Sequence, residues 1–387
     1  MSSHFSVLSQ INVYPVKSLS GIALSTTWVE KQGLTFDRRF MLALENGRMV
    51  TARQYPNMVK VTTTLLADGL MVSYPGLNSL RICYADFKKQ STPASVWDDD
   101  FMAYTTTDEA NEWFSRVVGQ PVELLYTGEQ SGRVREKLGH NVSFADGYPV
   151  LMISQASLDE LNRRSPELHS MEQFRTNLVV SGDEPFIEDS WKKIRIGEVE
   201  FEIVKPCERC ILTTVDVESG KFRSTKEPLN TLQQFRANDD GAVFFGQNLI
   251  AKNEGIIKAG DQIVVLESKE KDHYIDSWID DDELILTEDL NDLPDVIDEP
   301  EVKTVKIRID GHTFSGDNQT TLLEQAELAG VPLANSCRSG ICGACKVTVE
   351  SGKVKQESAP ALKENEQYLG KALACCCVPE TDVEIRS

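Results

Sequence analysis

The sequence predicts a mainly β protein with α+β parts, divided into several domains. Its 387 residues exceed what one hydrophobic core usually organises, so two or three domains are expected. Asn46-Gly47 and Asp68-Gly69 each separate two strand-like runs, which is a strong signal for a β-hairpin. Near the C-terminus, a capping box at Thr321–Glu324 precedes a helical pattern and a cysteine-rich loop, which indicates a separate α+β module.

The first two domains are expected at residues 1–120 and 121–268. In the first, the sequence predicts a helix over Asp108–Val118, because Thr107 can cap its start and Gly119 its end. The second is β-rich again, with one helix at Ser157–Arg164. Its predicted strands are Asn177–Ser181, Ile194–Ile196, Glu198–Val204 and Gln262–Leu266.

An acidic segment follows the second domain. The formal charge of the chain is −20, and thirteen acidic residues with no lysine or arginine lie between Asp272 and Glu301. Its self-repelling charge and irregular apolar pattern favour an extended linker over residues 269–301. Such a linker would let the last domain, residues 302–387, move.

Composition excludes several classes of function. The chain is acidic and has no basic stripe with interleaved aromatic residues, so binding to a nucleic acid polymer is not expected. No apolar stretch approaches the length of a membrane span, and the first 17 residues do not resemble a signal peptide. A cytoplasmic protein without membrane contact is therefore expected.

Four cysteines of the last domain have the spacing of an iron–sulfur site. Three form the pattern C-x4-C-x2-C, and 29 residues separate the third from the fourth. This is the plant-type spacing, in which one loop and a distant cysteine hold a 2Fe-2S cluster. Gly340 and Gly343 would let backbone N–H groups approach the sulfurs. The predicted ligands are Cys337, Cys342, Cys345 and Cys375.

A structural zinc site is the alternative for these cysteines. Zinc knuckles usually come as two C-x2-C pairs, whereas here one side is C-x4-C-x2-C and the other is the run Cys375–Cys377. The 2Fe-2S cluster is therefore favoured, in a ferredoxin domain of the β-grasp type. Leu373-Ala374-Cys375 followed by Pro379 resembles the end of plant-type ferredoxins, which assigns the fourth ligand to Cys375 and leaves Cys376 and Cys377 buried or spare.

A second cysteine pair, Cys207 and Cys210, follows an alternating strand. A lone C-x-x-C fits a redox pair, half a zinc site or two packed thiols, so the spacing alone decides nothing. The five histidines all lie outside the surrounding run, Lys205–Asp216, and nothing nearby completes a zinc site.

Several motifs occur together in a characteristic order. They are Tyr14–Ser18, Asp37-Arg38, Thr51–Gln54, Phe174–Asn177, Arg209–Asp216, Lys226–Pro228 and Phe245–Gln247. With these motifs the chain resembles the MOSC-domain proteins, named for the C-terminal domain of molybdenum cofactor sulfurase. It is similar to the mitochondrial amidoxime-reducing component, and more so to bacterial relatives of the YcbX type, which append a ferredoxin domain. The resemblance implies a two-part MOSC β-barrel unit for residues 1–268.

The resemblance also implies the residues of the site. Cys210 matches the thiolate ligand of molybdenum, and the adjacent Arg209 would favour its ionised form. Matches to positions that bind the pterin and its phosphate are Lys17, Ser18, Arg38, Arg175 and, less closely, Asn177. A phosphate needs such a cluster of charged donors. Any one of these cations taken alone would more often be a surface residue.

The function implied is that of a molybdenum-cofactor-dependent reductase of N-hydroxylated compounds, such as base analogues of the hydroxylaminopurine type. The chain has no convincing dinucleotide or flavin motif. We therefore expect a separate NADPH-dependent flavoprotein reductase to supply electrons, which the 2Fe-2S cluster relays to molybdenum. Two alternatives are a carrier of molybdenum cofactor or sulfur, and a ferredoxin-like electron-transfer component of an oxygenase, which would contain iron without molybdenum.

Overall fold

The computed structural model describes residues 6–135, 139–182, 184–278, 303–335, 338, 340, 343–356, 359 and 361–387. The chain forms two compact units, Met1–Ser277 and Trp278–Ser387. Strands dominate both units, which confirms the prediction of a mainly β protein with α+β parts. None of the described helices is long and apolar enough to cross a membrane.

The first unit is built around an eight-stranded sheet, sheet A. Its strands, in spatial order, are Ile22–Leu24, Val7–Val13, Leu178–Ser181, Val150–Ser154, Phe244–Ala251, Val199–Glu208, Trp191–Ile196 and Ile263–Ser268. Val150–Ser154 and Leu178–Ser181 run parallel. Helix Gln155–Arg164 lies in the crossover between them, as parallel neighbours require.

A five-stranded sheet, sheet B, lies in the same unit, with the strand order Ser91–Val96, Asp99–Thr105, Glu123–Tyr126, Phe40–Ala43 and Met49–Val50. Two smaller sheets have three strands each: Thr62–Leu66, Gly69–Ser73 and Leu80–Cys83 in one, and Gly255–Lys258, Thr26–Glu30 and Gly33–Leu34 in the other. Two more have two strands each: Val134–Arg135 with His140–Asn141, and Val215–Asp216 with Lys221–Phe222. Hairpins are present at both predicted positions, but Leu66 pairs with Gly69, so the two-residue loop of the second hairpin is Ala67-Asp68 and Gly69 begins the next strand.

The other helices of the first unit are short. The α-helices are Asp108–Val118 and Leu229–Phe235, and the 3-10 helices are Pro56–Lys60, Tyr84–Asp86, Met171–Phe174, Ile187–Ser190 and Ile211–Thr214. Asp108–Val118 has the predicted bounds, with the Thr107 side chain accepting from Ala110 N and Gly119 in the left-handed conformation. The helix predicted at Ser157 begins two residues earlier, because Ser154 at the end of a strand is its N-cap.

Strand Phe40–Ala43 is buried on both faces. Successive side chains of a strand point to opposite faces, so Phe40 and Leu42 enter one apolar core and Met41 and Ala43 another. A third core, which includes Ile11 and other strand residues of sheet A, is also fully buried. Packing on both sides holds the start of Phe40–Ala43 rigidly, and with it the polar residues just before Phe40.

The segment after Ile263–Ser268 packs on the first unit. Tyr274 lies on the guanidinium of Arg236, 4.1 Å from Cζ to the ring centroid, and Ile275 N donates to Ala237 O over 2.9 Å. The first nine residues of the linker expected at 269–301 therefore belong to the first unit. The rest of that expected linker, from residue 279 onward, lies outside the described residues.

The second unit has a five-stranded sheet in the order His312–Asp317, Thr304–Ile309, Val383–Arg386, Lys346–Ser351 and Lys371–Leu373, a two-stranded sheet of Val354–Gln356 and Cys377–Pro379, and the helices Leu322–Leu328 and Glu364–Tyr368. The predicted capping box is present, since Thr321 and Glu324 each bond to the other's backbone N–H. Ile307, Leu322 and Leu373 are fully buried in one core.

Candidate functional site

Most polar residues of the candidate site lie where strands of sheet A begin or end. Val7–Val13 runs antiparallel to Leu178–Ser181, so the residues after the first strand meet those before the second. Asn12 N donates to Asn177 O over 2.7 Å, and Asn177 N donates to Leu151 O over 2.9 Å. The sheet therefore brings the motifs at 14–18 and 174–177 together.

Arg38 lies at the centre of a buried polar network. Its Nη1 donates to Asp37 Oδ2 over 2.6 Å and to Asn177 Oδ1 over 2.9 Å, and its Nη2 donates to Arg175 O over 3.1 Å. Asn177 donates in turn to Asp37 Oδ1 and Asn12 O, each over 3.0 Å. The amide of Asn177 is thus used within the protein, where it orients Arg38 and Asp37.

Arg175 has a guanidinium nitrogen to spare. Its Cζ lies 4.3 Å from the ring centroid of Tyr14, and its Nη1 donates to Leu19 O over 2.5 Å. Its buried Nη2 has no hydrogen-bond partner among the described residues. Burial and the nearby charge of Arg38 lower the pKa of Arg175 to about 10. A cation with this surplus of positive charge and an unused donor is suited to an anionic ligand.

Lys17, Arg53 and Asp146 form a second charged group. Lys17 Nζ donates to Asp146 Oδ1 and to Phe144 O over 2.8 Å, and Arg53 Nη2 donates to Asp146 Oδ2 over 2.9 Å. Burial lowers the pKa of Lys17 to about 8, although Asp146 opposes that shift. Against the effect of partial burial, Lys17 and Arg53 hold the pKa of Asp146 well below its usual range. Asp146 therefore stays ionised.

Arg53 connects this group to the candidate metal ligand. Its Nε donates to Cys210 Sγ over 3.3 Å. Burial alone would lower the pKa of Arg53, but Cys210 and Asp146 more than offset it and the pKa is raised. Cys210 is a free thiol at the turn between strand Val199–Glu208 and the 3-10 helix Ile211–Thr214. The half-buried sulfur thus faces a cation that Asp146 holds in place.

Arg209, like Arg175, has an unused guanidinium donor. Its Nε donates to Phe245 O over 2.8 Å and its Nη1 to Phe174 O over 3.2 Å. Its buried Nη2 has no hydrogen-bond partner in the part of the chain that the structure describes. Because buried donors are almost always satisfied, this atom and Arg175 Nη2 indicate a polar ligand.

Three of the residues assigned to pterin and phosphate binding have left-handed backbones. The φ angles are 71° at Ser18, 49° at Arg38 and 55° at Arg175. Such values are uncommon for residues with a side chain, and they concentrate where function demands a particular geometry. Ser18 is also buried, at 4% exposure.

The candidate site is rich in positive charge, although the chain is strongly acidic. Its five cations, Lys17, Arg38, Arg53, Arg175 and Arg209, face two carboxylates, Asp37 and Asp146. The lowered pKa values of Lys17 and Arg175 show that the carboxylates do not fully offset burial. An anionic pterin phosphate would supply the missing charge, and a cysteine sulfur suits molybdenum. The residues present therefore fit the cofactor.

The sequence analysis did not assign Arg53 or Asp146 to the site. Arg53 belongs to the quoted motif Thr51–Gln54, which was a signal that could have been used. Asp146 carried no local signal, because its role arises from contacts with residues distant in the chain. Burial raises the pKa of the Cys207 thiol.

In the second unit, two predicted cluster ligands lie among the described residues. Cys345 and Cys375 are buried, and their sulfurs are 3.1 Å apart, too far for a disulfide bond of about 2.05 Å. Cys337 and Cys342 lie outside the described residues. The described residues alone contain no group of three or more His, Cys, Asp or Glu side chains that could hold a metal ion.

The surroundings of these thiols fit a cluster. Gly340 and Gly343 have left-handed φ angles of 73° and 68°, which a glycine adopts without strain. Cys376 and Cys377 are both buried, as the sequence suggested. Cys377 lies in strand Cys377–Pro379, and burial raises the pKa of its thiol to about 12. A buried protonated thiol is a packing group.

Comparison with protein families matches three consecutive models. They are the MOSC N-terminal beta barrel domain at residues 5–121, the MOSC domain at residues 139–264, and the 2Fe-2S iron-sulfur cluster binding domain at residues 305–380. The two MOSC models together cover more than half of the chain. The cofactors of the chain are accordingly the molybdenum cofactor and a 2Fe-2S cluster.

Relatives of known name match the first two domains. Mitochondrial amidoxime reducing component 2 of Rattus norvegicus is 34% identical over 278 residues, which are 66% of this chain and 82% of the relative. Mitochondrial amidoxime-reducing component 1 of Homo sapiens is 32% identical over 285 residues, 67% of this chain and 82% of the relative.

A solved structure, the ferredoxin reductase in carbazole 1,9a-dioxygenase, is 27% identical over 22% of this chain and 27% of its own. Its TM-score is 0.22, and nothing about function rests on this likeness. The family models and the two relatives agree on one assignment. The chain belongs to the MOSC-domain family that includes the mitochondrial amidoxime-reducing components, and it carries a C-terminal 2Fe-2S domain of the ferredoxin type.

Proposed function

We propose that the chain is a molybdenum-cofactor-dependent reductase of N-hydroxylated compounds, including amidoximes and base analogues of the hydroxylaminopurine type. The observation that carries this proposal is the meeting of the Cys210 thiol with buried cations that lack full counter-charge. Relatives named as amidoxime-reducing components support the substrate class.

The residues divide into two groups by role. Lys17, Arg38 and Arg175 hold the phosphate and pterin end, with Ser18 beside them. Cys210 binds the metal through its sulfur, which the hydrogen bond from Arg53 Nε orients. When bound, the cofactor supplies a two-electron metal centre that can accept oxygen. Asn177 acts through Arg38 and Asp37, whose positions its hydrogen bonds hold.

The reaction consumes two electrons and two protons and releases an amine and water. Asp37 is ion-paired to Arg38, and Asp146 is kept ionised by Lys17 and Arg53, so neither carboxylate suits the role of proton donor. Asp216, another carboxylate near the cysteine motif in sequence, pairs with Arg223 at 3.3 Å. The backbone hydrogen bond from Ser219 is the main cause that lowers the pKa of Asp216, and Arg223 adds to the shift.

Electrons are proposed to come from a separate flavoprotein reductase that uses NADPH, through the 2Fe-2S domain. This part rests on the presence of a cluster domain in the same chain as the MOSC domain. Cys337, Cys342, Cys345 and Cys375 are the proposed cluster ligands. The domain limits 1–120, 121–268 and 302–387 and a cytoplasmic location stay predictions.

Metal and pterin analysis tests the proposal. Wild type, Cys210→Ser and the matched control Cys207→Ser would be purified from a host that makes the cofactor, and assayed with a flavoprotein reductase and benzamidoxime. We expect molybdenum, pterin and iron in wild type and in Cys207→Ser. Cys210→Ser should keep its iron but lose molybdenum or at least 99% of its turnover.

Two outcomes would contradict the proposal. Iron without molybdenum in the wild type would indicate a ferredoxin-like electron-transfer component. A carrier would be indicated if the wild type contained both cofactors but reduced no N-hydroxylated compound, and if it transferred its molybdenum cofactor to an acceptor enzyme.

A further inference from the structure

A tryptophan lies at the tip of a hairpin of sheet B. Val96 pairs with Asp99, so Trp97 and Asp98 form a two-residue loop between Ser91–Val96 and Asp99–Thr105. The φ angle of Trp97 is 56°, a left-handed value. Loops of this kind favour glycine, asparagine or aspartate, and a bulky aromatic residue with positive φ is unusual. The requirements of the turn therefore do not explain a tryptophan at position 97.

The tryptophan is only partly packed against the rest of the unit. Val96 is fully buried and belongs to an apolar core, whereas Trp97 is 37% exposed. Its close contact is with Arg53, whose Cζ lies 4.8 Å from the ring centroid.

This contact places Trp97 beside the candidate metal site. Arg53 Nε lies 3.3 Å from Cys210 Sγ, and one guanidinium bond of about 1.3 Å separates Nε from Cζ, so the ring centroid is within about 10 Å of the sulfur. Arg53 is only 6% exposed. Trp97 thus lies between Arg53 and solvent, and part of its ring is exposed within about 10 Å of Cys210 Sγ.

An exposed indole next to a reaction centre has one clear use. Its face attracts planar, electron-poor groups, and stacking of a nucleobase on an aromatic side chain changes affinity by about tenfold or more. The proposed substrates carry their N–O bond on such planar groups, as in hydroxylaminopurine or benzamidoxime. An aliphatic amidoxime presents the same N–O bond without an aromatic ring.

We propose that Trp97 is a specificity-determining residue that stacks on the aromatic ring of N-hydroxylated substrates and so favours them over aliphatic ones. The inference rests on the proposed function and names a substrate class for that same site. Trp97 touches the substrate but takes no part in cleavage of the N–O bond.

The test compares kcat/KM for benzamidoxime and acetamidoxime. Trp97→Gly removes the ring and suits the left-handed turn, so the fold should be retained. Trp97→Phe keeps an aromatic face. The matched control is Trp28→Phe, because Trp28 is 46% exposed on strand Thr26–Glu30 of the same unit. Molybdenum content is measured in every variant, and rates are expressed per molybdenum.

We expect Trp97→Gly to lose about tenfold in kcat/KM for benzamidoxime, mainly through KM, and less than twofold for acetamidoxime. Trp97→Phe should retain most of the preference, and Trp28→Phe should equal wild type. An equal loss on both substrates would overturn the inference and make Trp97 a brace for Arg53. The inference would also be overturned if Trp97→Gly had the wild-type kcat/KM for both substrates. A wild type that reduces neither compound would overturn the proposed function, and the inference with it.

Discussion

Lys17 carries a buried positive charge that the protein without its cofactor does not fully compensate. The Lys17 side chain is 6% exposed, and burial lowers its pKa to about 8, against about 10.4 in an unfolded chain. At neutral pH the charged amine therefore destabilises the folded protein by about 3 kcal/mol relative to a neutral group. Lys17→Met replaces the amine with an uncharged side chain of similar length.

The pH dependence has a definite sign. Between pH 8 and about 10.4 the unfolded chain binds more protons at Lys17 than the folded chain does, so the free energy of unfolding rises with pH across that window. The free energy of unfolding of the wild type minus that of Lys17→Met should increase by about 2 to 3 kcal/mol from pH 7 to pH 10. Below pH 8 this difference should be nearly constant.

Urea unfolding of cofactor-free protein, followed by tryptophan fluorescence, measures this difference. Four of the five tryptophans, Trp28, Trp97, Trp113 and Trp191, lie in the first unit, so the signal reports mainly on that unit. Lys31→Met, at an exposed lysine of the same unit, controls for the loss of one charge. A difference that stays flat or falls between pH 8 and 10 would refute the argument from burial.

Two further predictions concern stability. Gly246 and Gly119 both have positive φ, but a Cβ at Gly246 would lie 2.8 Å from Met152 O, whereas Gly119 faces open space. Gly119→Ala should therefore cost about 1 kcal/mol and Gly246→Ala about 3 kcal/mol or more in urea unfolding, and equal losses would contradict the clash. Burial and Arg223 lower the pKa of His169 to about 4, so stability should fall by up to about 3 kcal/mol as the pH drops from 6.5 to 4. His169→Gln should remove this part of the acid sensitivity in acid-induced unfolding, and an unchanged acid profile would show that His169 is not its source.

Local features of the chain were readable from sequence because they depend on neighbouring residues. Helix Asp108–Val118 has its predicted bounds, since a threonine cap and a terminal glycine act within one turn of the helix ends. The hairpin at Asn46-Gly47 turns through the three residues Glu45–Gly47, because Leu44 N donates to Arg48 O, and Gly47 supplies the left-handed residue of that loop. Where a signal was ambiguous, the prediction was less accurate, as at Ser154, which ends a strand and caps a helix at once.

The start of the linker shows a different limit of prediction from sequence. Charge density alone suggested that the linker begins at residue 269, but Tyr274 and Ile275 pack on the first unit. Their partners, Arg236 and Ala237, are nearly forty residues away in the chain. Periodicity within an acidic segment cannot report such contacts, because they depend on where a distant loop lies.

The amino-acid sequence was enough to establish the β-rich architecture, the plant-type cysteine spacing and, through its ordered motifs, the family with its implied ligand Cys210. Those conclusions depend on local chemistry and on spacing along the chain. The partners of the thiol required the fold, because Arg53 is 157 residues from Cys210 and 93 residues from Asp146 in sequence. Whether a cation is solvated or buried with too little counter-charge depends on which segments the sheets bring together. That packing makes five basic residues a candidate site for an anion.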